Sequence, residues 1–206
     1  LSCTKTYLAL KKAKEFSKEN KKVLLLCFNK PLGEFIKSEC KNFDNIDCFT
    51  FHGFILSNFK INLYEKDTLL DENDIIEKIT VNDIFYDCLI IDEAQDFEDD
   101  WLSVLELVQK DKHTTYMFAD DNQKIKKVSN SILNDFKKAP FPLNQNMRNT
   151  KSIFNALKSF YNGDTEYCNG PRGQSIIINK ASSNLLKDIE KKLNILTVIE
   201  KIKIQD

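Results

Sequence analysis

The sequence predicts an α/β protein built on a parallel sheet that is covered on both faces. Three observations lead there. The runs Val23 to Cys27, Cys88 to Ile91 and Tyr116 to Ala119 are short and apolar throughout, the pattern of strands buried on both sides. The stretches between them carry helical spacing: Tyr7 to Glu19 sets Ala9, Ala13 and Phe16 on one face, and Trp101 to Val108 does the same with Leu102, Leu105 and Val108. Strands that alternate with helices are joined by crossovers, and crossovers make neighbouring strands parallel.

The remaining elements follow in order. Asp47 to Thr50 is a further, weaker strand. Asn58 to Asn82 is more polar and is expected to form short helices over one edge of the sheet. The APFPL segment, Ala139 to Leu143, halts the helix before it, because proline lacks a donor and restricts its predecessor. A domain boundary is expected there, with residues 1–142 as the first domain and 143–206 as the beginning of a second. In the latter, Thr150 to Phe160 reads as a helix, Gly163 to Gly173 as a loop, Ser175 to Ile178 as a strand and Ser183 to Leu193 as a helix. No internal repeat or low-complexity tract is present.

Composition narrows the setting. The 206 residues suffice for one sizeable core plus part of another. With 30 basic and 31 acidic side chains there is no overall positive field, so any polyanion must be held by local groups. Charge is segregated, lysine-rich from Lys5 to Lys22 and acidic from Glu65 to Asp100, which equally describes solvated surfaces. The six cysteines show no metal-ligand or C-x-x-C spacing, and Cys27 and Cys88 lie inside apolar runs, as buried thiols in a reducing compartment do. No secretory signal or membrane-length apolar run occurs, and a cytoplasmic location is expected. The chain opens on Leu1 in mid-motif, which suggests a segment of a longer protein.

Two segments carry chemistry. In CLIIDEAQDF, Cys88 to Phe97, an apolar strand runs directly into paired carboxylates, and a strand end holds ionised groups rigidly. There Asp92 suits a Mg²⁺ ligand, and Glu93 suits a base that orients and deprotonates a water attacking a γ-phosphate. In SCTKTYLAL, Ser2 to Leu10, the spacing resembles the end of a phosphate-binding loop and the helix after it. Lys5 would reach phosphate oxygens and Thr6 would ligate Mg²⁺. Thr4 stands where that loop has glycine.

Five segments fall in order after the Ser2 to Leu10 stretch. LLLCFNK (Leu24 to Lys30), TFHGF (Thr50 to Phe54), IIDEAQD (Ile90 to Asp96), FADDNQ (Phe118 to Gln123) and LNQNMRNT (Leu143 to Thr150) resemble motifs Ia, Ic, II, III and IV of superfamily 1 helicases of the UvrD/Rep-like kind. The resemblance implies a RecA-like (P-loop NTPase) domain followed by the start of a second. It implies an ATP-dependent DNA helicase or translocase that couples hydrolysis to movement on single-stranded DNA, with RNA left open. The nucleotide and Mg²⁺ site would comprise Thr4, Lys5, Thr6, Asp92 and Glu93. Gln123 would couple the γ-phosphate to the nucleic-acid face, and Arg148 would reach the γ-phosphate from the second domain. Phe28, Asn29, Lys30, Thr50, Phe51 and His52 would contact the nucleic acid, although Phe28 and Phe51 are equally readable as core.

The departures carry their own expectations. Lys126 to Ser129 replaces the aromatic run that follows motif III in the family. The stretch from His52 to Asp92 leaves the usual helical insertion reduced, at about residues 58–82. Motifs V and VI are not found, so the segment by itself is expected to be inactive. A relative that binds nucleic acid or scaffolds without turnover is the alternative.

Overall fold

The computed structural model describes residues 2–63, 71–119, 141, 143, 145–146, 149–158, 167–176 and 184–194. Its main body is a four-stranded, all-parallel sheet with helices on both faces. The order of elements is α1 (Ser2–Lys18), β1 (Val23–Cys27), α2 (Lys30–Cys40), β2 (Ile46–Thr50), α3 (Phe51–Phe59), α4 (Glu72–Asn82), β3 (Tyr86–Asp92), α5 (Asp99–Leu107) and β4 (Gln109–Phe118). The strands lie side by side as β2-β1-β3-β4. β1 runs in register with β2 from Val23 opposite Ile46 to Cys27 opposite Thr50, and with β3 from Val23 opposite Cys88 to Leu26 opposite Ile91.

The alternation of side chains along each strand divides the interior in two. Leu24, Leu26, Leu89 and Ile91 point to one face, where α3, α4 and α5 cover them with Phe51, Phe54, Ile75, Ile79, Trp101 and Leu105. Val23, Leu25, Cys27, Cys88 and Ile90 point to the other, against Ala9 and Ala13 of α1 and Ile36 and Cys40 of α2. Both faces of β1 are therefore dry, which is why its sequence shows no polar alternation. Cys27, Cys40, Cys48 and Cys88 are buried free thiols. Burial pushes Cys27 and Cys88 up to about 12, so they pack as neutral groups.

Several boundaries differ from the sequence expectation. β4 begins at Gln109, seven residues before the apolar run, and its register with β3 jumps from Tyr86 opposite Gln109 to Cys88 opposite Thr114. The intervening Lys110 to His113 are exposed, so they carry no apolar signal. The stretch after Asn58 holds α4, whose N-cap Asp71 accepts from the amides of Asn73 and Asp74, and whose Ile75 and Ile79 are buried. α3 starts directly after β2, where only a motif was read.

Beyond residue 143 the described elements are short. β5 (Gln145–Asn146) pairs in parallel with β6 (Tyr167–Cys168). α6 (Lys151–Leu157) is capped by Thr150, whose hydroxyl accepts from the Ile153 amide, and α7 spans Leu185–Asn194. β6 lies in the stretch expected to be a loop, and Ser175 and Ile176 are not in a strand. No helix among the described residues is long and apolar enough to cross a membrane.

Candidate nucleotide site at the carboxyl edge of the sheet

In a parallel sheet the strand ends, the helix starts and the reversals of the chain gather at one edge, and ligands bind there. α1 leads into the amino end of β1, so its own N-terminus lies at the carboxyl edge. The structure brings Thr6 of α1 to Asp92, the last residue of β3: Thr6 Oγ1 donates to Asp92 Oδ2 at 2.5 Å across 86 positions of sequence. Both residues are buried, as is Lys5 beside them. The backbone of Thr4 belongs to the same helix.

Asp92 is fully enclosed, and its carboxyl is pushed up to about 6. Burial is the main cause, and the neighbouring Glu93 charge adds to it. The Thr6 hydroxyl, the Glu93 backbone amide and the Lys5 ammonium act in the opposite direction without cancelling it. The Glu93 amide donates to Asp92 Oδ1 at 3.1 Å, so both Asp92 oxygens have donors.

Glu93 is half-buried and left-handed, with φ 54° and ψ 45°. For a residue with a Cβ this conformation costs on the order of 1 kcal/mol, and it turns the chain sharply out of the sheet. The turn continues as one 3₁₀ turn, Ala94–Asp96, closed by the Asp96 amide on the Glu93 carbonyl at 3.0 Å. Gln95, buried in that turn, donates from Nε2 to Glu93 Oε2 at 2.8 Å. In the sequence, Gln95 stands out only as part of the IIDEAQD motif. Its spacing two residues after a strand-end glutamate was the available signal.

The donor set suits Mg²⁺. That ion takes one or two protein oxygens and completes its shell with water and phosphate oxygens, and Thr6 and Asp92 present a hydroxyl and a carboxylate oxygen at one point. No group of three or more His, Cys, Asp or Glu side chains able to hold a metal on their own occurs among the described residues.

The residues expected to contact nucleic acid share this edge but divide by role. Asn29 caps α2, its Oδ1 accepting from the Leu32 amide at 2.8 Å, with Pro31 in the first turn. Thr50 caps α3, its hydroxyl accepting from Gly53 at 3.1 Å. A Cβ on Gly53 would sit 3.0 Å from that hydroxyl, so the cap favours glycine there. Asparagine and threonine next to a helix start are themselves a capping signal. Phe51 corrects the expectation of base stacking. It is 1% exposed, with its ring stacked on Trp101 at 4.5 Å and 9°, and so belongs to the core. Phe28 and His52 are half-buried around the same tryptophan, Phe28 nearly parallel at 6.5 Å and His52 edge-on at 4.9 Å. Lys30 is exposed. Gln123 and Arg148 lie outside the described residues.

No family model, curated protein or solved structure matches the chain.

Proposed function

We propose that this edge binds and hydrolyses a nucleoside triphosphate, and that the chain is the nucleotide-binding part of a superfamily 1-type, RecA-like helicase or translocase acting on single-stranded DNA. The observation that carries the reading is the 2.5 Å contact of Thr6 with Asp92, beside buried Lys5 and strand-end Glu93. Phosphate recognition calls for a helix N-terminus, a cation and a hydroxyl; hydrolysis calls for a carboxylate placed to accept a proton from water. All are present at the start of α1, at the last residue of β3 and at Glu93 directly after it.

In this reading the N-terminus of α1 and Lys5 bind the phosphates, while Thr6 and Asp92 hold Mg²⁺. The ion, when bound, supplies charge neutralisation on phosphate oxygens. Glu93 accepts the proton of the attacking water. The capped starts of α2 and α3 turn further backbone amides toward the same edge, where Lys30, Phe28 and His52 offer charge and partly open rings to a single strand.

The test is a pair of variants of the full-length protein, assayed for nucleotide binding by calorimetry and for phosphate release with and without single-stranded DNA. Lys5→Ala abolishes hydrolysis. Glu93→Gln keeps nucleotide affinity while hydrolysis falls by about a hundredfold or more. Unchanged turnover in Lys5→Ala removes the assignment. A non-catalytic nucleic-acid-binding relative is the second reading, favoured by Thr4 where phosphate loops have glycine. It predicts strand binding with no phosphate release from the unmodified full-length protein.

A further inference from the structure

The contact between Gln95 and Glu93 does more than close a turn. A glutamate side chain has three rotatable bonds and, when half-exposed, ordinarily samples several rotamers. A general base must instead keep one oxygen within hydrogen-bond reach of a single water. Here the backbone of Glu93 is fixed in the left-handed region by the turn that follows, and its amide is held by Asp92 Oδ1. The last degree of freedom is the carboxylate, and Gln95 Nε2 takes Oε2 at 2.8 Å from a side chain that is 1% exposed.

The chemistry of residue 95 fits that task. A buried amide must have its polar atoms satisfied, so this one is ordered by its surroundings before it meets Glu93. It donates without adding charge beside Asp92, whose carboxyl is already hard to ionise. A carboxylate at position 95 would repel Glu93, and an aliphatic side chain would fill the space but leave Oε2 unheld.

We infer that Gln95 is a positioning residue for hydrolysis: its amide anchors Oε2 of Glu93 so that Oε1 is the oxygen presented to the attacking water. The inference rests on the nucleotide-hydrolysis reading of the site, and on the geometry of the turn for everything else.

Gln95→Met keeps length and volume and deletes the donor. Measured in the full-length protein with saturating nucleotide, it lowers kcat by on the order of tenfold to a hundredfold, the scale of a misaligned reacting group, with nucleotide affinity unchanged. In a Glu93→Gln background, where no carboxylate remains to be aimed, adding Gln95→Met produces no further loss. Gln95→Glu, of nearly the same shape but opposite polarity toward Glu93, gives the same kinetic pattern and serves should the methionine variant fail to fold. The contact itself is read without turnover: Glu93→Ala shifts the Gln95 side-chain amide signal in a ¹⁵N NMR spectrum. Equal losses in the two backgrounds, undiminished kcat, a matching loss of nucleotide affinity, or an unmoved amide signal overturns the inference while leaving the site assignment standing. Absence of nucleotide hydrolysis in the unmodified full-length protein is the different result that removes the site reading and the inference with it.

Discussion

β3 carries an aspartate near each of its ends, and the two are treated in opposite ways. Asp87, at the amino end, accepts from Lys110 at 2.8 Å and from the Lys22 backbone amide at 2.8 Å, and its carboxyl is held below the usual aspartate range, chiefly by Lys110. Close by, Tyr86 donates to Asp47 at 2.8 Å and Lys22 lies over the Tyr86 ring at 4.9 Å. Asp92, at the carboxyl end, is sealed from water with Glu93 beside it and is held well above the usual range. One strand end is electrostatically relaxed and the other is loaded. The difference teaches that acidic composition by itself says little about a site: what distinguishes Asp92 is a charge kept where burial favours a neutral group.

The contrast is tested most heavily at the packing that supports the loaded end. Phe51→Ala opens a cavity beneath Trp101 and is expected to destabilise the protein by about 3–5 kcal/mol in urea unfolding. A loss under about 1 kcal/mol would return Phe51 to the surface as a candidate ring for stacking.

The next effect has the unusual sign. Asp92 holds its proton to higher pH in the native chain than in the unfolded one, where aspartate titrates near 3.8 against about 6 here. The stability this group provides is therefore full below about pH 4 and is lost as pH rises through about 6. Asp92→Asn should stabilise the protein by about 2–3 kcal/mol near pH 8 and leave it unchanged near pH 4. Thermal unfolding at the two pH values decides it, and a destabilised variant at the higher pH would mean that the fold already compensates the carboxylate.

The smallest effect belongs to the relaxed end. Asp87, with its pKa lowered, contributes stability above its unfolded value that disappears as pH falls through the folded one. Because the pair with Lys110 is largely solvated, Asp87→Asn should cost less than about 1 kcal/mol at neutral pH and nothing in acid. A larger loss would show that the amino end is strained as well, and the contrast between the two ends would disappear.

The buried strands were legible because burial on both faces leaves an unbroken apolar run, as at Val23 to Cys27 and Cys88 to Ile91. The first half of β4 was not, since Lys110 to His113 meet solvent and write no pattern. Lys5, Thr6, Asp92 and Glu93 were singled out from local chemistry and family resemblance, but only the crossover from α1 through β1 to β3 shows that the hydroxyl of Thr6 meets the carboxyl of Asp92. Asn29 and Thr50 were read toward a ligand when their nearest task is capping, because the side chains that cap a helix are the ones that also contact phosphates. Phe51 was ambiguous for a related reason. An aromatic residue at a strand-to-helix junction can turn inward or outward, and here the period of two ends at Thr50 and the first turn of α3 carries the ring into the core.

The left-handed backbone of Glu93 has a consequence for how variants of this protein would be sorted. A single base change converts either glutamate codon to glycine, the residue that tolerates this φ without strain. Such a variant sheds a charge beside Asp92 and relieves the turn, which offsets part of what the lost Gln95 contact and the freer unfolded chain cost. A survey ranking variants by abundance, solubility or melting temperature would therefore understate what position 93 does. Only an assay of what the carboxylate does would register that it had gone.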